Sequence, residues 1–387
     1  MWGKLSAWGR LAVWGRLPVW GRLTVWGRLA VWGRLVACGG LPARPASVAA
    51  AVLFFTIPLS AQTLRPKIDL GKDSPVTLVS TDWGDSNATP RGGAYLVDVH
   101  ASLALRNSGQ RRIRSVTLAV YAQEVTPGGK GSVSIPSLDV GPGETFPVRI
   151  DMPLLRPLGA AAGGPAVEIR LDGVLFDDLS FFGPDQLHSQ RTMTLWEMEG
   201  RRDRKYFKQI LETAGASGLQ KEVLNSLARQ ADRAQPGVQM VRGRSTNTDL
   251  EKEVQFAFLD VPESPVEASS GAARISGNEA RAPRFEVRNR SSRAVKFLEI
   301  GWIVKDQQGP VAQDAALRFS DRIAIQGMAG FVSGVEFADG TYWIPSRAAL
   351  DNPRLRDLVA PSPEEQRLTQ RYRKKGLSAL VEELKKF

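Results

Sequence analysis

The chain is short of the side chains from which most metal sites and nucleophilic enzymes are built. It has one cysteine, Cys38, and two histidines, His100 and His188, in 387 residues. An intrachain disulfide framework is therefore excluded, and so is a zinc ribbon of paired cysteines. No Gly-x-Ser-x-Gly elbow, no Gly-x4-Gly-Lys-Ser/Thr phosphate loop and no EF-hand spacing occurs anywhere in the sequence. An excess of one charge is lacking as well, despite a formal net charge of +11. Lys4, Arg10, Arg16, Arg22, Arg28, Arg34 and Arg44 precede Gln62 without a single acid, which leaves 44 basic against 40 acidic residues in the rest. That balance gives no argument for nucleic acid as a partner.

What is present begins with six hexapeptides, WGKLSA, WGRLAV, WGRLPV, WGRLTV, WGRLAV and WGRLVA, running from Trp2 to Ala37. In an α-helix successive Trp residues would sit about 120° apart and form no apolar stripe. In a strand the period of six keeps Trp and Arg on one face, and a parallel β-helix would also accept it, but no cap accompanies the run. Residues 1–40 are read as a low-complexity, disordered tract or a mis-called start. A basic-aromatic tail for a membrane surface or a nucleic acid is the alternative. Residues 41–61 have the form of a secretory signal. Arg44 supplies the positive region, Ala46 to Leu59 the apolar core, and Leu59-Ser60-Ala61 the cleavage site before Gln62. The core is shorter than the ~20 residues of a spanning helix. Cleavage and export are expected, with membrane anchoring by an uncleaved leader as the alternative.

Beyond the leader, apolar and polar residues alternate over Tyr95 to Leu105, Ile113 to Tyr121, Gly131 to Val140, Phe146 to Met152 and Val167 to Leu175. Turn residues such as Asn107-Ser108-Gly109 and Gly141-Pro142-Gly143 separate them. Short strands at this spacing predict an antiparallel sandwich over 62–184. Sliding the chain by 182 places Val287-Arg288-Asn289 on Leu105-Arg106-Asn107, Arg293 on Arg111, and Leu298, Ile300 and Trp302 on Val116, Leu118 and Val120. The apolar positions stay in phase, so a second sandwich is expected over 236–355. Between them, Met193, Trp196, Tyr206, Phe207, Ile210 and Leu211 recur at helical spacing, predicting a helical connector over 185–235 broken at Gly215-Ala216-Ser217-Gly218. Pro262 to Pro283, rich in Ser, Gly, Ala and Glu, reads as a linker. Residues 356–387 read as an amphipathic C-terminal helix. Ser362 is its cap, Pro363 its first residue, Glu365 completes a capping box, and Leu377, Leu380, Val381 and Leu384 form the apolar stripe.

Arg106-Asn107-Ser108-Gly109, then Ile113-x-x-Val116-x-Leu118-x-Val120, then Gly141-Pro142-Gly143-Glu144 before Phe146-x-Val148, resemble bacterial exported immunoglobulin-like sandwich modules of the cell-adhesion-related type. The second copy departs from the pattern with Arg290-Ser291 after its Asn. The resemblance implies a binding or spacing role and brings no catalytic residues.

Asp172, Asp177, Asp178 and Asp185 crowd around Leu175, Phe176, Phe181 and Phe182, and carboxylates on adjacent loops are what Ca²⁺ takes. Turn formation at the end of a strand accounts for the same residues. His188 lies near Asp185 and Ser189, the composition of a triad without its geometry, and His100 falls in an alternating strand. Gly128-Gly129-Lys130-Gly131-Ser132 reads as a hairpin loop, and Arg371, Arg373, Lys374 and Lys375 as a solvated helix face.

The fold expected is mainly β, two immunoglobulin-like antiparallel β-sandwiches with a helical connector and a C-terminal helix. The function expected is an exported, non-enzymatic binding or scaffolding protein in the periplasm or outside the cell, with a protein or cell-envelope partner and no cofactor. The alternatives are an extracytoplasmic hydrolase using Asp177 and Asp178, and a structural protein held at the membrane by its leader or by the C-terminal amphipathic helix.

Overall fold

The computed structural model describes residues 64–387 apart from 126–127, 159–165, 232–251, 277–278, 307–308, 315–326, 353–354 and 356–358. The hexapeptide tract and the expected leader lie outside the described residues. The fold is mainly β. Strands β1 (Arg65–Asp69), β2 (Val76–Asp82), β3 (Asn87–Arg91), β4 (Ala94–Asn107), β5 (Ile113–Tyr121), β6 (Lys130–Ile135), β7 (Thr145–Pro157), β8 (Ala166–Phe176) and β9 (Phe181–Phe182) form the first unit. In β4 and β7 every second residue turns inward, Val97 through Leu105 and Phe146 through Leu154. Those side chains meet Val116, Leu118 and Val120 of β5 and Val167, Ile169 and Leu171 of β8 in one core. Two sheets thus face each other. In one, β4 pairs with β2, β3 and β7; the other has the order β1-β8-β5-β6 with β9 beside β8. The pairing of β1 with β8 is parallel, a departure from the all-antiparallel expectation. Strands a hundred residues apart carry no hairpin signal to announce such a pair.

Helix α1 (Ser189–Ala231) follows, and then β10 (Lys252–Leu259), β11 (Val266–Ser276), β12 (Glu279–Asn289), β13 (Val295–Asp306), β14 (Gly309–Asp314), β15 (Gly327–Phe337) and β16 (Tyr342–Trp343). Among the described residues these form one seven-stranded sheet, β12-β11-β10-β15-β13-β14 with β16 beside β15, where two facing sheets were expected. The difference lies in β10. It pairs with β11 over Lys252 to Ala257 and, in parallel, with β15 over Ala257 to Leu259, joining into one sheet the strands on its two sides. The supposed linker over Pro262 to Pro283 is β11 and part of β12. Its inward residues include the small Ala268 and Ala273, which hide an alternating pattern among Ser and Gly. Gly271 is required there, since a Cβ would stand 2.3 Å from the Phe256 ring. Toward the end of the chain the described residues include helices α2 (Arg347–Leu350) and α3 (Pro363–Leu384).

The motifs that carry the resemblance meet in space. The Asn107 side chain donates to the carbonyls of Arg111 (2.9 Å) and Val140 (3.1 Å) and accepts from the Gly109 amide (3.0 Å). Its own carbonyl accepts from Gly143 of the Gly-Pro-Gly-Glu turn. In the second unit Asn289 donates to the carbonyl of Arg293 (2.7 Å) and accepts from the Ser291 amide (2.9 Å). Burial separates the two, for Asn107 is fully enclosed and Asn289 is exposed.

Asn107→Ala removes three hydrogen bonds from an enclosed side chain that ties two turns together and is expected to cost about 2 kcal/mol or more. Asn289→Ala, where water replaces the lost partners, is expected to cost under about 1 kcal/mol. Chemical denaturation of the two variants measures both.

Candidate functional site

Helix α1 starts where the Asp cluster was expected to gather, and the four residues have separate local tasks. Asp172 is buried and accepts from the Leu187 amide (3.1 Å) and the Ser189 hydroxyl (2.6 Å). Asp185 accepts from the Gln190 amide (2.9 Å), capping the first turn of α1. Asp177 uses its amide to bond the Arg112 carbonyl. Asp178 accepts from the amide of Ser180 (2.9 Å) and from its hydroxyl. Those bonds from Ser180, with Arg111 adding to them, hold the Asp178 carboxyl below the usual range, opposite to what a general acid needs. No group of three or more His, Cys, Asp or Glu that could hold a metal is gathered among the described residues. The Ser189 hydroxyl is given to Asp172, so it does not pair with His188 in a triad. His100 is a cross-strand neighbour of Asp151, 2.9 Å away on an open face of β4. Gly128 and Gly129 lie between β5 and β6, but Lys130, Gly131 and Ser132 of the expected hairpin loop already belong to β6.

The concentrated chemistry lies instead between the helices and the two β units. α1 runs between those units. Met193 and Trp196 pack on Leu175 of the first, and Glu197 faces Arg114 of β5. On the other side Arg191 pairs with Glu336 and stacks 3.9 Å over Phe297, while Arg202 donates to the Pro345 carbonyl (3.1 Å). This is why β5 is buried along its whole length, one face in the core of the first unit and the other under the helix.

Two lines of charge thread the helices. The first runs from Asp139 to Arg114 (2.9 Å), Glu197 (3.8 Å), Arg204 (2.7 Å), Glu364 (3.2 Å), Arg367 (2.8 Å) and Glu383 (2.5 Å). Phe387 lies against it, its ring 5.1 Å from the guanidinium of Arg114 and 4.5 Å from that of Arg204. The second centres on Arg347, which meets Glu365 (2.8 Å), Asp203 (3.6 Å) and Glu222 (3.7 Å). Ser362 caps α3 by accepting from the Glu365 amide (3.1 Å), but the Glu365 side chain turns away to Arg347 and Ser226. The capping box is therefore half made. Leu380 and Leu384 of the expected amphipathic stripe are fully buried with Phe207 and Leu219 of α1, so that face is not free for a membrane. Arg373, Lys374 and Lys375 are exposed, whereas Arg371, expected on the same solvated face, is half-buried and reaches Glu383 (3.3 Å) and the Ala379 carbonyl (3.0 Å).

The electrostatics follow from burial. Burial alone would raise Glu365, but Arg347, with Ser226 and Arg229, outweighs it and holds the carboxyl below its ordinary range. Glu383 is lowered in the same way, burial being outweighed by Arg367, Lys386 and Arg371. Asp203 goes the other way. Its burial exceeds the pull of Arg202 and raises it. A raised carboxyl is the mark of a general acid, but this one is enclosed, with Arg202 at 2.8 Å and the Ser362 hydroxyl at 2.5 Å. The adjoining cavity, lined by Arg202, Arg229, Arg347, Asp351 and Glu365, measures about 30 Å³, which is room for water rather than for an organic substrate. Sequence reasoning missed the network because Glu364, Glu365 and Arg367 look like an ordinary exposed first turn. The one signal was the polar set Arg114, Ser115 and Thr117 within an apolar strand.

No family model, no curated protein and no solved structure matches the chain.

Arg347→Met leaves the buried Glu365 without its nearest cation and is expected to cost about 3–5 kcal/mol in denaturant titrations. The lowered Glu365 and Glu383 contribute stability that is fully present above the unfolded value of about 4.3 and is lost as pH falls through their folded values. The melting temperature is expected to hold from pH 7 to about 5 and to fall below about pH 4.3, with Asp203 opposing that trend.

Proposed function

We propose that the chain is an exported, non-enzymatic binding or scaffolding protein whose two β units are immunoglobulin-like modules held in fixed relation by α1. The observation that carries this reading is where the ionic chemistry sits. The buried Arg and Glu side chains join one β unit to the helices and the helices to the other unit, instead of lining a substrate-sized cleft. Catalytic groups have to reach a substrate, whereas charges that fix the spacing of two modules suit a protein that presents surfaces. The immunoglobulin-like reading of the first unit is supported by two facing sheets around one core, with β4 beside β7 and β5 beside β8. That of the second is supported by the order β10-β15-β13-β14 with β16 beside β15, matching β1-β8-β5-β6 with β9 beside β8. Export rests on the signal pattern over 41–61 and favours a protein or cell-envelope partner. No helix among the described residues is long and apolar enough to cross a membrane.

Intact-mass and N-terminal mapping of the native protein after cell fractionation tests the export. A chain beginning at Gln62 in the soluble exported fraction is expected. A chain that keeps Trp2 to Ala37 in the cytosol overturns the reading, and an uncleaved leader in a salt-washed membrane fraction replaces it with the anchored alternative.

A further inference from the structure

From β8 onward the two halves of the chain run in step at a constant offset of 161 residues. Val174 and Leu175 pair with Phe182 and Phe181, and Val335 and Glu336 pair with Trp343 and Tyr342. In the turn between, Asp178 accepts from the amide and hydroxyl of Ser180, and Asp339 accepts from the amide (2.9 Å) and hydroxyl (2.7 Å) of Thr341. Arg111 stacks 3.9 Å over Phe176 and meets Asp178 at 3.5 Å; Arg293 stacks 3.7 Å over Phe337 and meets Asp339 at 2.8 Å. A repeated β unit alone would stop there.

The same offset continues into the helices. Gly215 breaks α1 with φ 68° and ψ −169°, and Gly376 breaks α3 with φ 81° and ψ −178°, a region open almost only to glycine. The break in α3 reverses the chain. Arg367 and Glu383 are 2.5 Å apart, whereas sixteen residues of straight helix would separate them by about 24 Å. Phe207, Leu219 and Val223 correspond at this offset to Leu368, Leu380 and Leu384, and all six are buried in one cluster. Each hairpin thus places the same three positions in a single shared core. Two like faces covering each other is the arrangement of an isologous contact.

We infer that the repeating unit of this chain is a β unit together with its helical hairpin, and that the hairpin is a docking element whose partner is the hairpin of a second copy of that unit. In this protein the second copy is supplied by the same chain. The difference between the copies is local. Pro361 and Pro363 correspond at this offset to Gly200 and Arg202, where α1 continues unbroken, so α3 begins later in its copy than α1 does in the other.

The test uses the full chain with a protease recognition sequence inserted between residues 232 and 251 and cut after folding. The two pieces are expected to elute together at the volume of the intact chain and to part only in denaturant. In the cut protein Leu219→Ala and Leu380→Ala, at equivalent positions, are each expected to raise the dissociation constant of the pieces about tenfold or more. Pieces that separate in native buffer while keeping their far-ultraviolet circular dichroism overturn the inference. So does a response to one of the two substitutions without the other. Neither export nor a ligand enters the experiment, so its failure would leave the proposed function standing.

Discussion

A charge taken out of water must be met by an opposite charge at close range, and the arrangement of this protein depends on how that demand is met around α1. Glu197, Glu364 and Glu365 are buried, and each is reached by a guanidinium group from another element, Arg114, Arg204 and Arg347 respectively. Desolvating such an ion costs several kcal/mol even after relaxation, a cost offset only while every partner stays in place. The net gain over an apolar core is small, but the penalty for separating any one pair is large. Such a network therefore does more to choose one arrangement than to deepen its stability. It differs in kind from exposed pairs such as Lys385 with Glu382, which contribute ~0–1 kcal/mol and tie nothing to anything else.

That constraint also explains which parts of the fold were readable in the amino-acid sequence. β4 and β7 have one face in the core and one toward water, and their alternation located them to within a few residues. β5 alternates too, yet Arg114, Ser115 and Thr117 on its polar face are buried. The pattern reports polarity, and polarity here means a charged helix overhead rather than solvent. β11 escaped because alanine and glycine carry the middle of its inward face, between Val266 and Ile275, where Phe256 supplies the missing bulk from the neighbouring strand. The parallel pairs of β1 with β8 and β10 with β15 escaped because they join segments that no local signal connects.

The four carboxylates around the end of β8 show the same limit at the scale of a site. Their crowding in sequence was real, but proximity along a chain says nothing about direction. Asp172 faces the start of α1, Asp185 caps it, and Asp178 closes the turn into β9. Turn residues are acidic because a short carboxylate can take up a backbone amide that the turn leaves without a partner. A carboxylate used in that way is turned toward its own local backbone, and at Asp178 the bonds from Ser180 move the pKa down.

The two glycines that break the helices connect these scales. At Gly215 and Gly376 there is open space where a Cβ would go, so packing does not exclude a larger residue; the backbone angles do. Each break lets one stretch of helix return along itself and present leucine and phenylalanine to the other hairpin. The buried ions then have a fixed scaffold to meet on, because Glu383 reaches Arg367 only after the reversal at Gly376. The order of dependence runs from backbone angle to hairpin, from hairpin to shared apolar core, and from that core to the charge network. The β units come last in this sequence, held at a set distance by groups that lie outside their own cores. For a protein proposed to present surfaces to a partner, that order places the rigidity between the modules and leaves their outer strands free to vary.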